Sequence, residues 1–335
     1  MSDRQDLMAD FLRRAGWAEA RREPLTSDAS FRRYERLTDG ARRALMMDAP
    51  PPQENVVPFI DIDRHLRALG YSAPEILAED RVAGLLLLED FGNDTFTRLL
   101  AAGEDEPALY RLATDLLIDL HRCAPEDAVP AGLPAYDDDR LVDEAALLTD
   151  WYMEAALGAP PDEAVAQDYR DLWRGVLDTA RQVPESLVLR DYHVDNLMRL
   201  AGRDGVKACG LLDFQDALRG PVTYDLVSLI EDARRDIDDD ICVTMRRRYL
   251  DAFPALDIAA FEASMAVLGA QRHAKVIGIF TRLARRDGKP VYLAHIPRVW
   301  RLLERACAHP ALGPIRHWLD VHIPDEARIV PKGLS

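Results

Sequence analysis

An apolar run, Leu187-Val188-Leu189, leads through Arg190 to Asp191, and Asn196 follows five residues later. A carboxylate at that point can take the proton of an attacking hydroxyl, and an amide five residues on can hold a divalent cation; this is a spacing used in phosphoryl transfer. In a chain so rich in Asp the pattern D-x-x-x-x-N is expected about once by chance. A second segment strengthens it. Gly210-Leu211-Leu212-Asp213-Phe214-Gln215 is another short apolar run that ends in an acid. Two adjacent strands ending in carboxylates repel one another unless a cation lies between them, and a metal that bridges phosphates needs such a second acid. The competing reading is that both are strand-end aspartates capping turns. The order of the two loops and their strand context favour the chemical one.

Other segments are less specific. Gly220-Pro221-Val222-Thr223-Tyr224-Asp225-Leu226 reads as a turn and helix start, with Thr223 as N-cap and Asp225 in the first turn, where its charge complements the macrodipole. A buried Asp225 would alternatively brace the Asp191 loop by accepting backbone N–H bonds. Leu86-Leu87-Leu88-Glu89-Asp90-Phe91-Gly92 is an apolar strand running into a polar crossing, either a surface for the edge of a purine base or a plain interdomain connection. Residues 270–305 hold nine Arg or Lys against two acids in a chain of net charge −16. That segment is either a solvated helix face or a set of cations for an anionic ligand. The acidic stretch Asp236 to Asp240 reads as a helix start rather than as a site for a polycation.

The elements that must position these residues fall into two groups. Asp6 to Ala15 has the spacing of a short helix, and Phe31 to Leu37 and Ala44 to Met47 read as strands joined through Asp39-Gly40. Pro50-Pro51-Pro52 stops further pairing. A helix over Val56 to Leu69 and two strands, Ile76 to Ala78 and Gly84 to Leu88, complete a small lobe of mixed sheet. From Leu109 onward the periodicity is helical, with a small β element between Leu187 and Phe214. The boundary is placed near residue 90, giving a small α/β lobe over 1–90 and a large, mainly helical lobe over 91–335. A chain of 335 residues suits two domains. Its acidity argues against nucleic acid as a partner. The four cysteines lie far apart, so neither a disulfide framework nor a zinc site is expected. No signal peptide or membrane span is read, and a cytoplasmic enzyme is expected.

The order of small lobe, crossing, D-x-x-x-x-N loop and second strand-borne Asp resembles the aminoglycoside phosphotransferase and choline kinase superfamily, over nearly the whole chain. Several segments look closer to one branch, the bacterial N-acetylmuramate/N-acetylglucosamine anomeric kinases of cell-wall recycling. They are Ser27 to Tyr34, Met47 to Pro51, Arg190 to His193, Leu212 to Ala217 and Gly278 to Leu283. The resemblance implies a protein-kinase-like two-lobe α/β (α+β) fold and transfer of phosphate from Mg2+-bound ATP to the C1 hydroxyl of an amino sugar. Asp191 would be the catalytic base, and Asn196 and Asp213 the metal ligands. Glu89 and Phe91 would stand at the nucleotide.

Two departures from the family pattern matter. The third strand, Arg42 to Asp48, carries no Lys for the phosphates, and the segment Ser27 to Ser30 lacks the usual glycines. Ser27 and Ser30 would then serve the phosphates, with Arg32 or Arg33 supplying the missing charge through a forked guanidinium. His193 and Asp216 are candidate acceptor contacts, and Arg272, Lys275 and Arg282 candidate partners of a substrate carboxylate. The alternatives are an aminoglycoside or choline-type kinase and an inactive kinase-like binding module.

Overall fold

The computed structural model describes residues 2–25 and 31–334. They pack as two compact units, Met1–Leu112 with Val194–Ala217, and Ala113–His193 with Leu218–Ser335. The expected boundary near residue 90 falls inside the first unit.

In the first unit, the helix Ser2–Arg14 precedes β1 (Arg21–Leu25), β2 (Arg33–Asp39) and β3 (Arg42–Asp48); the helix Val57–Ala68 follows, then β4 (Ile76–Asp80) and β5 (Leu85–Leu88). The sheet order is β1-β2-β3-β5-β4. Every pairing is antiparallel, so the expected mixed sheet is corrected. The reason is topological. The helix carries the chain from β3 to β4, which run the same way, but β5 lies between them and pairs antiparallel with both. β1 had no alternation to betray it, because Arg21-Arg22-Glu23-Pro24-Leu25 exposes most of its side chains at a sheet edge. The four leucines of β5 are all buried, as suits a strand covered on both faces. Met8, Phe11, Leu12, Trp17, Leu37, Ala44, Met46, Leu85 and Leu87 form the core of this unit. Gly84 turns the chain with φ +66°, and a Cβ there would stand 2.1 Å from the Ala49 carbonyl oxygen, so no other residue fits.

The loop segment contributes two separate two-stranded ladders rather than one element. β7 (Leu197–Arg199) pairs with β8 (Cys209–Leu211) in the first unit, whereas β6 (Glu185–Val188) pairs with β9 (Leu218–Pro221) in the second. Gly220-Pro221 therefore ends a strand instead of making a turn. Thr223 is the first helical residue, not the cap; its hydroxyl meets Ser264 Oγ at 2.6 Å inside the core.

The second unit is built around the 30-residue helix Ile258–Asp287, about 45 Å long at 1.5 Å per residue. Against it pack the helices Asp138–Ala145, Glu163–Ala180, Thr223–Ile230 and Ile296–Ala306. Gly278 lets the backbone at Leu147 approach; an added Cβ would lie 2.3 Å from its carbonyl carbon and oxygen. The four cysteines form no disulfide, and no described helix is long and apolar enough to cross a membrane.

Candidate active site

In the second unit β6 delivers Leu189, Arg190 and Asp191 to a tightly held turn. Arg190 has φ +68°, a left-handed conformation unusual for a non-glycine residue. It is fixed by Asp225, a fully buried side chain in the first turn of Thr223–Ile230. The backbone N–H of Leu189 donates to Asp225 Oδ2 at 2.6 Å, and that of Arg190 to Oδ1 at 2.9 Å. The bracing role, the alternative raised for this residue, is thus its observed arrangement. Burial pushes the Asp225 carboxyl up to about 7, with the two N–H donors and Arg272 opposing.

Asp191 lies 3.8 Å from Arg272 Nη1, which also donates to the Arg190 carbonyl oxygen at 3.3 Å. Burial raises the Asp191 carboxyl, but Arg272, Lys275, His193 and Arg190 outweigh it and hold the group below its ordinary value. Lys275 does not stand as a bare cation: its Nζ pairs with Glu144 at 3.0 Å. Glu144 also takes Arg190, the Tyr136 hydroxyl and Gln271 Nε2, making it the anionic centre of this cluster. Glu144 was missed in the sequence, although it sits three residues after Leu141 and next to Ala145, on the buried face of Asp138–Ala145. An acid in phase with core residues was the available signal.

His193 is buried, with Nε2 3.3 Å from Arg234 Nη1; burial and Arg234 keep its imidazole below the usual range. Arg272 and Lys275, three residues apart on the long helix, share this neighbourhood. Arg282 lies about 15 Å further along the same helix, and burial and Arg286 lower its pKa. Much of the basic segment is neutralised locally: Arg285 by Glu154, Arg298 and Arg301 by Asp236, and Arg305 by Asp239. Asp238 caps the helix Asp239–Ala252, as expected of the acidic stretch.

In the first unit the β7–β8 ladder brings its two chain ends together. The Leu212 N–H donates to the Asn196 carbonyl oxygen at 3.0 Å, which sets Asn196 beside the segment carrying Asp213. Asp213 has φ +57°, which Asp tolerates better than most residues. Of the two arginines, Arg32 reaches the segment that carries Asp213. Its Nη1 lies 3.4 Å from Asp213 Oδ1 and 2.8 Å from Gln215 Oε1, and its Nε lies 3.6 Å from Glu54. Burial disfavours the Arg32 charge, but Tyr34, Asp213, Glu54 and Asp216 hold its pKa above the ordinary value. Arg33 is exposed at the start of β2. Gln215 donates to both Asp213 and Asp216, at 3.1 and 3.2 Å. Glu54 and Gln215 were not singled out, since no local pattern marks a polar residue whose partner lies far along the chain.

Among the described residues no group of three or more His, Cys, Asp or Glu forms a metal cluster. The single carboxylate of Asp213 with the Asn196 amide nevertheless suits Mg2+, which keeps most of its shell for phosphate and water. Glu89 is engaged by Arg203 and Arg67, and its carboxylate accepts from the Glu75 N–H at 3.2 Å. Phe91 lies under the Arg203 guanidinium, 5.2 Å from ring centre to Cζ. Ser27 and Ser30 lie outside the described residues.

A family model described as the phosphotransferase enzyme family matches residues 21–261. An N-acetylmuramate/N-acetylglucosamine kinase of Caulobacter vibrioides is 36% identical, covering 98% of this chain and 99% of its own. One of the same name from Pseudomonas aeruginosa is 39% identical over 88% of this chain and 86% of its own. Among solved structures, a choline/ethanolamine kinase family protein from Mesorhizobium loti superposes with a TM-score of 0.61 at 15% identity, covering 95% of this chain and 99% of that one. This likeness shows the protein-kinase-like fold. Family model, full-length relatives and fold agree, and the chain belongs to the phosphotransferase enzyme family.

Proposed function

We propose that this kinase transfers the γ-phosphoryl group of ATP to the C1 hydroxyl of an N-acetylated amino sugar, N-acetylmuramate or N-acetylglucosamine. The observation that carries the reading is likeness along almost the entire chain to kinases named for those sugars. The charge around Asp191 agrees with it. Arg272, buried beside Asp191, makes a poor setting for a polycationic acceptor such as an aminoglycoside. A carboxylate held below its ordinary pKa is a weak base, best matched to a hydroxyl more acidic than an ordinary alcohol, and a hemiacetal hydroxyl is one.

Asp191 takes the acceptor proton as the new O–P bond forms and the bond to ADP breaks. Arg272 sets the strength and direction of that carboxylate, while the Asp225 brace fixes the turn that aims it. Arg32 stands in for the Lys absent from β3, paired with Glu54 and lying beside Asp213. Asn196 and Asp213 would hold Mg2+, which when bound neutralises charge on the phosphates. The segment 1–90 would serve the nucleotide, through Glu89 and Phe91 at the base, and the helical remainder the sugar. Work on cell-wall sugars in the cytoplasm fits such a reaction.

Incubation with ATP and a panel of amino sugars tests the proposal. A sugar 1-phosphate that hydrolyses in mild acid is the expected product. A stable ester at another hydroxyl, or phosphorylation of choline or an aminoglycoside in its place, would refute it.

A further inference from the structure

The connection between the helices Thr223–Ile230 and Asp239–Ala252 holds a buried acid that the reaction as described does not use. Asp232 is 2% exposed. Its Oδ1 accepts from the Arg234 N–H at 2.7 Å, an Asx-type turn that uses one oxygen only. Oδ2 is buried and has no hydrogen-bond partner among the described residues. A carboxylate oxygen desolvated without a donor is costly, and such groups persist where a ligand or an ordered water supplies the donor.

Its surroundings point to the ligand. The same turn carries Arg234, whose guanidinium meets His193 at 3.3 Å, and His193 follows Asp191 by two residues. Asp232 also lines a cavity of about 490 Å³ with Arg235, Asp236 and Arg298, within the roughly 300–1,000 Å³ usual for small-molecule sites. Of the other acids on that wall, Glu231 is paired with His273, Asp236 with Arg298 and Arg301, and Asp239 with Arg305, while Asp238 accepts from the Asp240 N–H at 2.8 Å. A hydroxyl-rich molecule offers the donors that this oxygen lacks.

We infer that Asp232 is a specificity-determining contact for the acceptor, its Oδ2 receiving a hydrogen bond from a sugar hydroxyl or the acetamido N–H. The inference rests on the proposed function and adds a residue to its acceptor side.

Asp232→Asn separates this role from a structural one. The Asn oxygen can still accept from the Arg234 N–H, while an NH2 donor replaces Oδ2. The expected result is a KM for the amino sugar raised about ten- to a hundredfold, the loss of one hydrogen bond to a charged group. The KM for ATP and the melting temperature should stay at wild-type values. A set of monodeoxy and N-methylated N-acetylglucosamine analogues gives the second measurement. Wild type should lose affinity for the analogue lacking the contacting donor, and Asp232→Asn should no longer distinguish it from the parent sugar. An active wild type alongside an Asp232→Asn with unchanged sugar KM overturns the inference alone, as does a variant that weakens both substrates while melting lower. A wild type that phosphorylates no amino sugar overturns the functional reading instead.

Discussion

Replacing Asp225 should uncouple the catalytic turn from the core, because this one carboxylate satisfies two consecutive backbone donors. In Asp225→Ala the N–H groups of Leu189 and Arg190 lose their partners, 2.6 and 2.9 Å away in the wild type. Each buried donor left unsatisfied costs about 1–3 kcal/mol, so the alanine variant should lose roughly 2–6 kcal/mol, and Asp225→Asn, which keeps one acceptor, roughly 1–3 kcal/mol. The same bonds hold Arg190 at φ +68°, a conformation that costs about 1–2 kcal/mol on its own. Once released, Arg190 relaxes and Asp191 swings with it. A displacement on the order of 1 Å at a reacting group costs about a hundredfold in rate, so kcat should fall by that factor even in the milder Asn variant.

Denaturant unfolding and steady-state kinetics on both variants measure the two effects. Titration adds a signed check. The Asp225 carboxyl stands at about 7 in the folded chain, above its value of about 3.9 when unfolded. The folded state therefore binds this proton more tightly, and its contribution to stability declines as pH rises from about 4 to about 7. Asp225→Asn should lack that decline. Wild-type kcat in Asp225→Ala, with an unfolding free energy within about 0.5 kcal/mol of the parent, would refute the reasoning.

Asp191→Asn should lower kcat by about 10²–10⁴-fold while leaving the melting temperature unchanged, and near-normal turnover would remove the residue from its role. Arg32→Ala should raise the KM for ATP or depress kcat with only partial recovery in Arg32→Lys, whereas exposed Arg33→Ala should match wild type; assays at varied ATP decide between them. Arg272→Ala removes the foremost cation lowering the Asp191 carboxyl, so the acid limb of kcat/KM should move to higher pH; an unmoved limb would contradict the assignment. Gly278→Ala forces a Cβ against the Leu147 backbone and should destabilise by about 1–3 kcal/mol, read as a lower melting temperature without a selective effect on either KM.

Local pattern carried much of this protein. The turn at Asp39-Gly40, the stop at Pro50-Pro51-Pro52 and the helix over Val57–Ala68 are consequences of turn chemistry, missing donors and helical spacing, so they were legible residue by residue. The spacing of Asp191, Asn196 and Asp213 and the short apolar runs before Asp191 and Asp213 are likewise properties of short segments. Partner choice is different in kind. Whether Arg32 or Arg33 turns inward depends on where β2 begins and on Asp213, far along the chain. The fold sets Glu144 against Lys275, and it brings the backbone after β6 onto Asp225, which keeps its expected place in the first helical turn. The antiparallel sheet and the separate β6–β9 and β7–β8 ladders likewise follow from which strands meet across long connections. Backbone propensity and periodicity act within a few residues, so the sequence determined most of the elements. Desolvation and ion pairing act between segments distant in the chain, so only the tertiary structure decided which charges are buried, which are neutralised and that Asp232 Oδ2 is left without a donor among the described residues.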